Sequence, residues 1–367
     1  MIASTRNTLQ SSAATEAQPH PVLIQANFRK LEAAPLLAAL ERDCGLQPAP
    51  LPIGLRDQLA GKGMLLVQGD RPLGKAHRGS DRVLAANFRR PPGSPEGIDI
   101  NPLDPERRLA SFKLAAFDMD STLIPIECID ELAALVGRTR EVAALTQAAM
   151  LGEVSDYDES LRQRSALLAD LPAESLQQLI DRGIALNPGV EQLTRVLRAA
   201  GLRLIVLSGG FTPVVAHIAA RIGALAYEAN ELEVREGLLS GKLSGRILNA
   251  KYKAHYLHSY ARAWDTTPDA TIAFGDGAND LLMLAQAGLS IAYRAKPIVA
   301  AQADLCLGYA NFDAVLEHFA ETRSRTLGEA LEVFQTFRAR QATDPGHNTH
   351  PSTEHSRGTP CSGPPAR

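Results

Sequence analysis

The feature that most constrains this chain is an apolar run that ends abruptly in carboxylates. Leu114–Phe117 is apolar throughout and is followed at once by Asp118-Met119-Asp120-Ser121-Thr122-Leu123. Such a run is typical of a strand buried on both faces, and residues two apart point to the same side of a strand. We therefore expect Asp118 and Asp120 to project together at the edge where open α/β sheets bind ligands. Taken alone, an acidic turn after a core strand is an equally good interpretation.

Two later strand-like runs also end in polar groups. Leu202–Leu207 leads into Ser208-Gly209-Gly210, and Ala270–Phe274 leads into Gly275-Asp276-Gly277-Ala278-Asn279-Asp280. A helical pattern at 249–263 lies between them. Strands that alternate with helices predict a parallel sheet, and the carboxyl ends of its strands meet at one edge. The three polar strand ends are therefore expected to form one site.

The whole pattern predicts an α/β fold. We expect a Rossmann-like parallel sheet with helices on both faces, a small helical cap inserted after the first motif, and a small N-terminal α/β module. The module has short strand patterns at 22–24, 64–67 and 82–84 and a helix pattern at 33–42. The predicted segments are a disordered tail (1–21), the module as a candidate regulatory unit (22–88), a linker (89–110), a main domain (111–322) with its cap at about 126–186, and a second disordered tail (340–367).

Composition argues against several classes of partner. The formal net charge of −3 is unlike that of proteins that bind nucleic acid or anionic membranes. No apolar run is long enough to span a bilayer. The four cysteines have no metal-ligand spacing, which favours reduced thiols and a cytoplasmic location. The assembly state is left open, with a homodimer as one candidate.

The carboxylates suggest a metal-assisted reaction. Carboxylates that cluster in an apolar setting repel one another unless a cation lies among them. Oxygen ligands without His or Cys favour Mg²⁺ over zinc. With such a cation nearby, a carboxylate such as Asp118 can attack a phosphoryl group.

The order and spacing of these motifs resemble the haloacid dehalogenase superfamily, and within it the phosphoserine phosphatase family. The resemblance covers about residues 115–319 and is carried by Asp118-Met119-Asp120-Ser121-Thr122-Leu123, Glu127-Cys128-Ile129-Asp130-Glu131, Ser208-Gly209-Gly210-Phe211 and Gly275-Asp276-Gly277-Ala278-Asn279-Asp280-Leu281. It implies Mg²⁺-dependent hydrolysis of O-phospho-L-serine to L-serine and phosphate, the last step of L-serine biosynthesis.

The resemblance also implies roles for the carboxylates. Asp118 would be the nucleophile that forms an aspartyl-phosphate, and Asp120 would act as general acid and then as general base. The ligands of Mg²⁺ would be Asp118, the backbone carbonyl of Asp120, and Asp276. Asp280 would brace the site from behind these ligands.

The phosphoryl group would be held by neighbouring polar groups. In the family pattern, the Ser208 hydroxyl and the Gly209 amide bind phosphoryl oxygens, and Asn279 helps to position the phosphate. A lysine neutralises the charge of the transition state. Lys253 matches the local pattern best, but Lys251 is an alternative because helix phase decides which of the two points inward.

Recognition of the amino acid would fall to two charged residues of the cap. By resemblance, Glu127 pairs with the substrate ammonium and Arg164 binds its carboxylate through a bidentate fork. The segment from Met150 to Arg164 is one residue longer than the family pattern, so Arg162 is an alternative to Arg164. Considered singly, Glu127 and Arg164 are more often solvated helix charges, and Met150, Tyr157 and Phe211 are expected to pack the cap.

Two other functions are weighed against this one. A relative with the same machinery could act on phosphothreonine or another phosphomonoester, or could transfer the phosphoryl group to an alcohol such as homoserine. A non-catalytic amino-acid sensor is the alternative from a different class. The complete set of polar strand ends argues against the sensor.

Overall fold

In a computed structural model of the chain, the described residues fold into an α/β structure. They are residues 20–26, 47–48, 64–69 and 98–343 without 152 and 155, and side chains are described for 99–336 apart from the same two. The predicted helix at 33–42, the predicted strand at 82–84 and most of both predicted tails lie outside the described residues.

A seven-stranded sheet forms the centre of the main domain. Four strands of a smaller sheet, described below, precede it in the chain, so its own strands are numbered from β5. They are β5 (Leu114–Phe117), β6 (Arg203–Phe211), β7 (Ala226–Arg235), β8 (Leu238–Ser244), β9 (Thr271–Gly275), β10 (Leu289–Tyr293) and β11 (Leu305–Leu307). The strand order is β11-β10-β9-β5-β6-β7-β8, and every neighbouring pair is parallel except β7 and β8. The three polar strand ends of the sequence therefore belong to adjacent central strands, β6, β5 and β9.

Helices cover both faces of this sheet, as the sequence predicts. They are α5 (Val190–Ala199), α6 (Thr212–Ile222), α7 (Ala250–Ala263), α8 (Leu281–Gln286), α9 (Pro297–Ala300) and α10 (Leu327–Thr343), with a 3₁₀ helix at Phe312–His318. Along β5, Leu114 and Ala116 belong to the core that includes Leu257 of α7, whereas Phe117 belongs to the core that includes Val214 of α6. Burial on both faces explains why this strand is apolar throughout.

The cap lies between β5 and β6, and among its described residues the regular elements are helices. Its helices are α1 (Cys128–Leu135), α2 (Thr139–Leu151), α3 (Tyr157–Ala166) and α4 (Ser175–Asp181). After α3, the chain bonds to the β7–β8 hairpin: the backbone N–H of Asp170 donates to Leu239 O (2.9 Å), and that of Leu239 donates to Leu171 O (2.8 Å). These bonds join the cap to the main sheet at a third place, in addition to its two chain connections.

Part of the predicted linker is instead a strand. Ile98–Pro102 forms β4, which pairs antiparallel with β1 (His20–Ala26) in a sheet of order β2-β3-β1-β4 that also contains β2 (Gln47–Pro48) and β3 (Met64–Gly69). The linker prediction at 89–110 is wrong for these residues. Their apolar-polar alternation is the strand signal, but it is short and lies next to a Pro/Gly-rich stretch.

Helix α10 has no counterpart among the predicted elements. It extends beyond the predicted domain end at 322 and overlaps the start of the predicted tail at 340. Ala330 and Phe334 are buried at helical spacing. Thr326 and Glu329 form reciprocal capping hydrogen bonds at the start of this helix. The capping pair Thr326 and Glu329 is a sequence signal for this helix, which packs Ala330 and Phe334 into the core beyond the predicted boundary at 322.

Strand β4 also connects the small sheet to the main domain. The carboxylate of Asp99, 6% exposed, accepts hydrogen bonds from the backbone N–H groups of Gly308 (2.8 Å), Tyr309 (3.0 Å) and Ala310 (2.8 Å). The side chain of Asn101 donates to Cys306 O (2.8 Å) and accepts from Cys306 N (2.7 Å). Strand β11 is therefore held by Asn101, and the loop that follows it is held by Asp99.

Across the described part of the chain, no helix combines the length and the apolar character that are needed to cross a membrane.

The Asp99 contacts yield a stability prediction. Asp99→Asn keeps the shape of the side chain but places an amide N–H₂ against backbone donors, so we expect the free energy of unfolding to fall by about 2–3 kcal/mol. Urea unfolding followed by the fluorescence of Trp264, the single tryptophan, measures this change. The control is Asp181→Asn at the exposed end of α4, and equal effects of the two substitutions would contradict the assigned role of Asp99.

Candidate active site

Asp118 is fixed in position by the strand that precedes it. Its backbone N–H donates to Phe274 O of β9 (3.0 Å), and its carboxylate accepts from the N–H of Met119 (2.7 Å). The residue is only 4% exposed. The carboxylate thus lies at the centre of the sheet, at the carboxyl end of β5.

A tight turn at Met119–Leu123 then reverses the chain. Ser121 adopts a left-handed backbone conformation (φ 56°), and its hydroxyl donates to Glu127 Oε1 (2.6 Å). The hydroxyl of Thr122 donates to Asp276 Oδ1 (2.9 Å), which connects the turn to the loop after β9. The carboxylate of Asp120 accepts from the N–H of Cys128 (3.4 Å). The turn therefore brings the start of the cap close to the strand ends.

A buried lysine lies behind Asp118. Lys253 Nζ is 2.9 Å from Asp118 Oδ1 and 2.7 Å from Asp280 Oδ1, and its side chain has no solvent exposure. Burial alone would lower the pKa of Lys253, but the two carboxylates outweigh this effect and raise it above its ordinary value. Lys251 is exposed. Of the two lysines that the sequence left open, Lys253 is the one that points inward.

Three buried carboxylates form a cluster that can hold a cation. Oxygens of Asp118, Asp276 and Asp280 all lie within 4.8 Å of one another. Burial, reinforced by the charge of Asp280, raises the pKa of Asp118 well above its ordinary range and that of Asp276 to about 7. Among the side chains of 99–336, Lys253 is the only cation within 4.0 Å of this cluster. The excess of negative charge and the all-oxygen donors suit a hard divalent cation.

Asp280 has less capacity for a ligand than the other two carboxylates. Its Oδ1 accepts from Lys253, and its Oδ2 accepts from the backbone N–H groups of Asp276 and Gly277 (both 3.1 Å). A Cβ on Gly275 would lie 2.5 Å from Asp280 Cγ, so the glycine allows this close approach. Both oxygens of Asp280 are therefore engaged, one with Lys253 and the other with the loop after β9.

A cavity lies between the strand ends and the cap. It is lined by Asp118, Asp120, Glu127, Ile129, Met150, Tyr157, Leu161, Arg164, Ser208, Gly209, Gly210, Phe211 and Asn279. These include every predicted site residue except Lys253, Asp276 and Asp280, which lie behind Asp118. The structure thus brings all the predicted residues together in one region.

The end of β6 supplies small polar groups to the cavity. The Ser208 hydroxyl is buried and accepts from the N–H of Gly210 (3.0 Å). A Cβ on Gly209 would lie 2.6 Å from the hydroxyl oxygen of Tyr157 in the cap. Position 209 therefore has no room for a side chain beneath the cap, and the backbone itself lines the cavity.

The cap contributes one carboxyl group and one guanidinium group. Burial, followed by the charge of Asp120, raises the pKa of Glu127 to about 8, and burial raises the pKa of Asp120 to about 6. Arg164 is 2% exposed. Arg162 is exposed and pairs with Glu159 (3.5 Å) on the same helix. Arg164, not Arg162, is therefore the arginine that faces the cavity.

Two buried polar atoms of cavity-lining residues lack partners. Arg164 Nη2 and Asn279 Oδ1 make no hydrogen bond within the described part of the chain. Buried polar groups are normally satisfied, so such atoms beside a cavity indicate a ligand that carries complementary groups. An acceptor facing Arg164 and a donor facing Asn279 would satisfy both.

Some residues of the site were not found from the sequence. Asn187 donates to Thr122 O (2.7 Å) and so fixes the turn after β5. Thr146 and Asp130 bond to each other beside Arg164. Asn187 precedes Pro188 and Gly189, a pattern that signals only a turn. Threonine and aspartate are equally common on helix surfaces, so their contacts depend on how the cap helices pack.

Comparison with protein families and relatives places the chain among known phosphatases. Residues 115–285 match the haloacid dehalogenase-like hydrolase family. A phosphoserine phosphatase of Polaromonas sp. (strain JS666) is 44% identical over 225 residues, which are 60% of this chain and 95% of that protein.

Two solved structures extend this similarity to the fold. A phospho-aspartyl intermediate analogue of phosphoserine phosphatase is 38% identical with a TM-score of 0.54, and the match covers 57% of this chain and 99% of that one. An unliganded probable phosphoserine phosphatase from Vibrio cholerae is 28% identical with a TM-score of 0.60, and the match covers 89% of this chain and 91% of that one.

Proposed function

This chain belongs to the phosphoserine phosphatase family of haloacid dehalogenase-like hydrolases, and we propose that it hydrolyses O-phospho-L-serine to L-serine and phosphate. One observation carries this proposal: a buried, lysine-paired Asp118 lines the same cavity as Glu127 and Arg164. Asp118 suits phosphoryl transfer, and Glu127 and Arg164 suit the ammonium and the carboxylate of an amino acid. The reaction would be the last step of L-serine biosynthesis.

Asp118 is the proposed nucleophile. Its carboxylate would attack phosphorus and form an aspartyl-phosphate, while the serine oxygen leaves. Lys253, 2.9 Å away, favours the ionised form of Asp118 that this attack requires. The phospho-aspartyl analogue described for the 38% identical phosphoserine phosphatase supports the same intermediate here.

Asp120 is the proposed general acid and base. It would protonate the departing serine oxygen and later take a proton from the water that attacks the aspartyl-phosphate. Burial raises its pKa to about 6, which keeps part of the population protonated near neutral pH. Its carboxylate lines the cavity beside Gly210, where a Cβ would lie 3.0 Å from Asp120 Oδ2.

The phosphoryl group would be held by four further groups. The Ser208 hydroxyl and the Gly209 amide would donate to its oxygens, and Asn279 would orient it from the loop after β9. Lys253 would neutralise the charge that builds up in the transition state. Support comes from their positions around Asp118: Ser208 and Gly209 lie at the end of β6, Asn279 follows β9, and Lys253 reaches Asp118 from helix α7.

Mg²⁺ is the proposed cofactor. Asp118, the backbone carbonyl of Asp120, and Asp276 would hold it, and Asp280 would brace these ligands because both of its oxygens already accept hydrogen bonds. When bound, the ion would polarise the phosphoryl oxygen and offset the charge of the carboxylates. The excess of carboxylates over ammonium groups in this cluster supports the assignment.

Substrate selection is assigned to the cap. Glu127 would pair with the ammonium of phosphoserine, and Arg164 would bind its carboxylate. The Ser121 hydroxyl, 2.6 Å from Glu127 Oε1, holds the glutamate toward the cavity. The unpartnered Nη2 of Arg164 supports a carboxylate ligand at this position.

The domain division is also a proposal. The small sheet that contains β1 would belong to an N-terminal module with a candidate regulatory role, and the main domain would carry the activity. The Vibrio cholerae match supports a shared organisation because it covers 89% of this chain. The free thiols of Cys128 and Cys306 agree with a cytoplasmic location.

The direct test is phosphate release from O-phospho-L-serine. We expect turnover with Mg²⁺, loss of turnover after chelation, and recovery when Mg²⁺ is restored. Turnover of O-phospho-L-serine should exceed that of O-phospho-L-threonine and glucose 6-phosphate. No phosphate release in the presence of Mg²⁺ would contradict the proposal, and a preference for another phosphomonoester would redirect it.

A second prediction concerns the amino-acid clamp. Glu127→Gln keeps the shape but removes the charge that would face the ammonium, so kcat/KM for phosphoserine should fall by about tenfold or more. Steady-state kinetics measures this loss. Glu159→Gln on the exposed face of α3 is the matched control and should behave as the parent protein does. Undiminished turnover of phosphoserine by Glu127→Gln would exclude the clamp.

A further inference from the structure

The guanidinium of Arg164 is held without a carboxylate partner of its own. Its Nε donates to Ser160 O (3.4 Å), and its Nη1 donates to Thr146 Oγ1 (3.3 Å). No carboxylate of the described side chains forms a salt bridge with it. Two of its nitrogens are thus fixed by the protein, and Nη2 is left for a ligand.

The Thr146 hydroxyl connects Arg164 to a carboxylate on another helix. It donates to Asp130 Oδ1 at 2.8 Å, and Thr146 is only 3% exposed. Arginine can only donate, and an ionised carboxylate can only accept. The donor and acceptor roles are therefore fixed: Arg164 donates to Thr146, and Thr146 donates to Asp130.

These hydrogen bonds link the two charged ends of the cavity. Asp130 lies in the first turn of α1, three residues after Glu127, the residue that immediately precedes the helix. Thr146 belongs to α2 and Arg164 to α3. A single path of hydrogen bonds and one helical turn therefore connects the proposed ammonium-binding and carboxylate-binding residues across three cap helices.

We propose that Thr146 and Asp130 are positioning residues that set the place of the Arg164 guanidinium relative to Glu127, and thereby select substrates that carry an ammonium and a carboxylate on the same carbon. The inference rests on the proposed function. Neither residue lines the cavity, so both would act through Arg164. The phosphoryl-binding groups at the strand ends lie outside this network.

The test separates the carboxylate-binding part of the cavity from the phosphoryl-binding part. Thr146→Val keeps the shape of the side chain but removes the hydroxyl. We expect the KM for O-phospho-L-serine to rise by about tenfold, as for the loss of a hydrogen bond to a charged group, and kcat to stay within about twofold. Inorganic phosphate needs no carboxylate site, so its competitive inhibition constant should stay the same. Thr146→Ser, which keeps the hydroxyl, should restore the parental KM.

Each other outcome has a defined meaning. A KM that does not change in Thr146→Val, or a KM and a phosphate inhibition constant that rise together, would overturn the positioning role. If Thr146→Val does not fold, as judged by thermal unfolding, Asp130→Ala tests the same hydrogen-bond network at its half-buried carboxylate. It should likewise raise the KM for phosphoserine and leave the inhibition constant of phosphate unchanged. A parent protein that releases no phosphate from phosphoserine overturns the proposed function as well, whereas an active parent with an unaffected Thr146→Val overturns this inference alone.

Discussion

The contact of Lys253 with Asp118 and Asp280 is the interaction on which the site depends. All three side chains are buried, and the lysine is the only described cation within salt-bridge distance of the carboxylate cluster. Removing one partner of a buried ion pair typically costs about 3–5 kcal/mol, because the other charge is left uncompensated. The same contact favours an ionised Asp118, so the stability of the site and the reactivity of its proposed nucleophile have one physical source.

In the proposed function, the strand ends carry out phosphoryl transfer and the cap selects the substrate. The ends of β5, β6 and β9 provide the groups for the phosphoryl transfer. These groups are held in place because the sheet is packed on both faces. The cap provides the charges that would choose the substrate, and Tyr157 brings it close to the backbone of Gly209. Substrate choice could therefore change through the cap helices without altering the phosphoryl-binding edge.

Much of the fold and site can be predicted from the sequence, because these features follow local rules. The apolar run predicts that Asp118 lies at the carboxyl end of a buried strand, and the order of strand, turn and helix predicts the parallel sheet. Asp120 lies in the turn after β5, so strand alternation does not set its position. A sequence pattern does not fix which of two helix residues two positions apart points inward. The structure therefore decides between Lys253 and Lys251 and between Arg164 and Arg162. Strand β4 does not follow from the local sequence because its pairing with β1 is remote in sequence, and the Thr146 contact depends on packing between three helices.

The central claim is that Asp118 carries the phosphoryl group during turnover. The most direct measurement is to quench the reaction with O-phospho-L-serine in cold, mild acid, which slows hydrolysis of an acyl phosphate, and to locate the phosphorylated peptide by mass spectrometry. The account predicts phosphate on Asp118 alone and none in Asp118→Asn. Phosphate on a different residue, or no phosphorylated protein at any time while phosphate is released at the full rate, would contradict it.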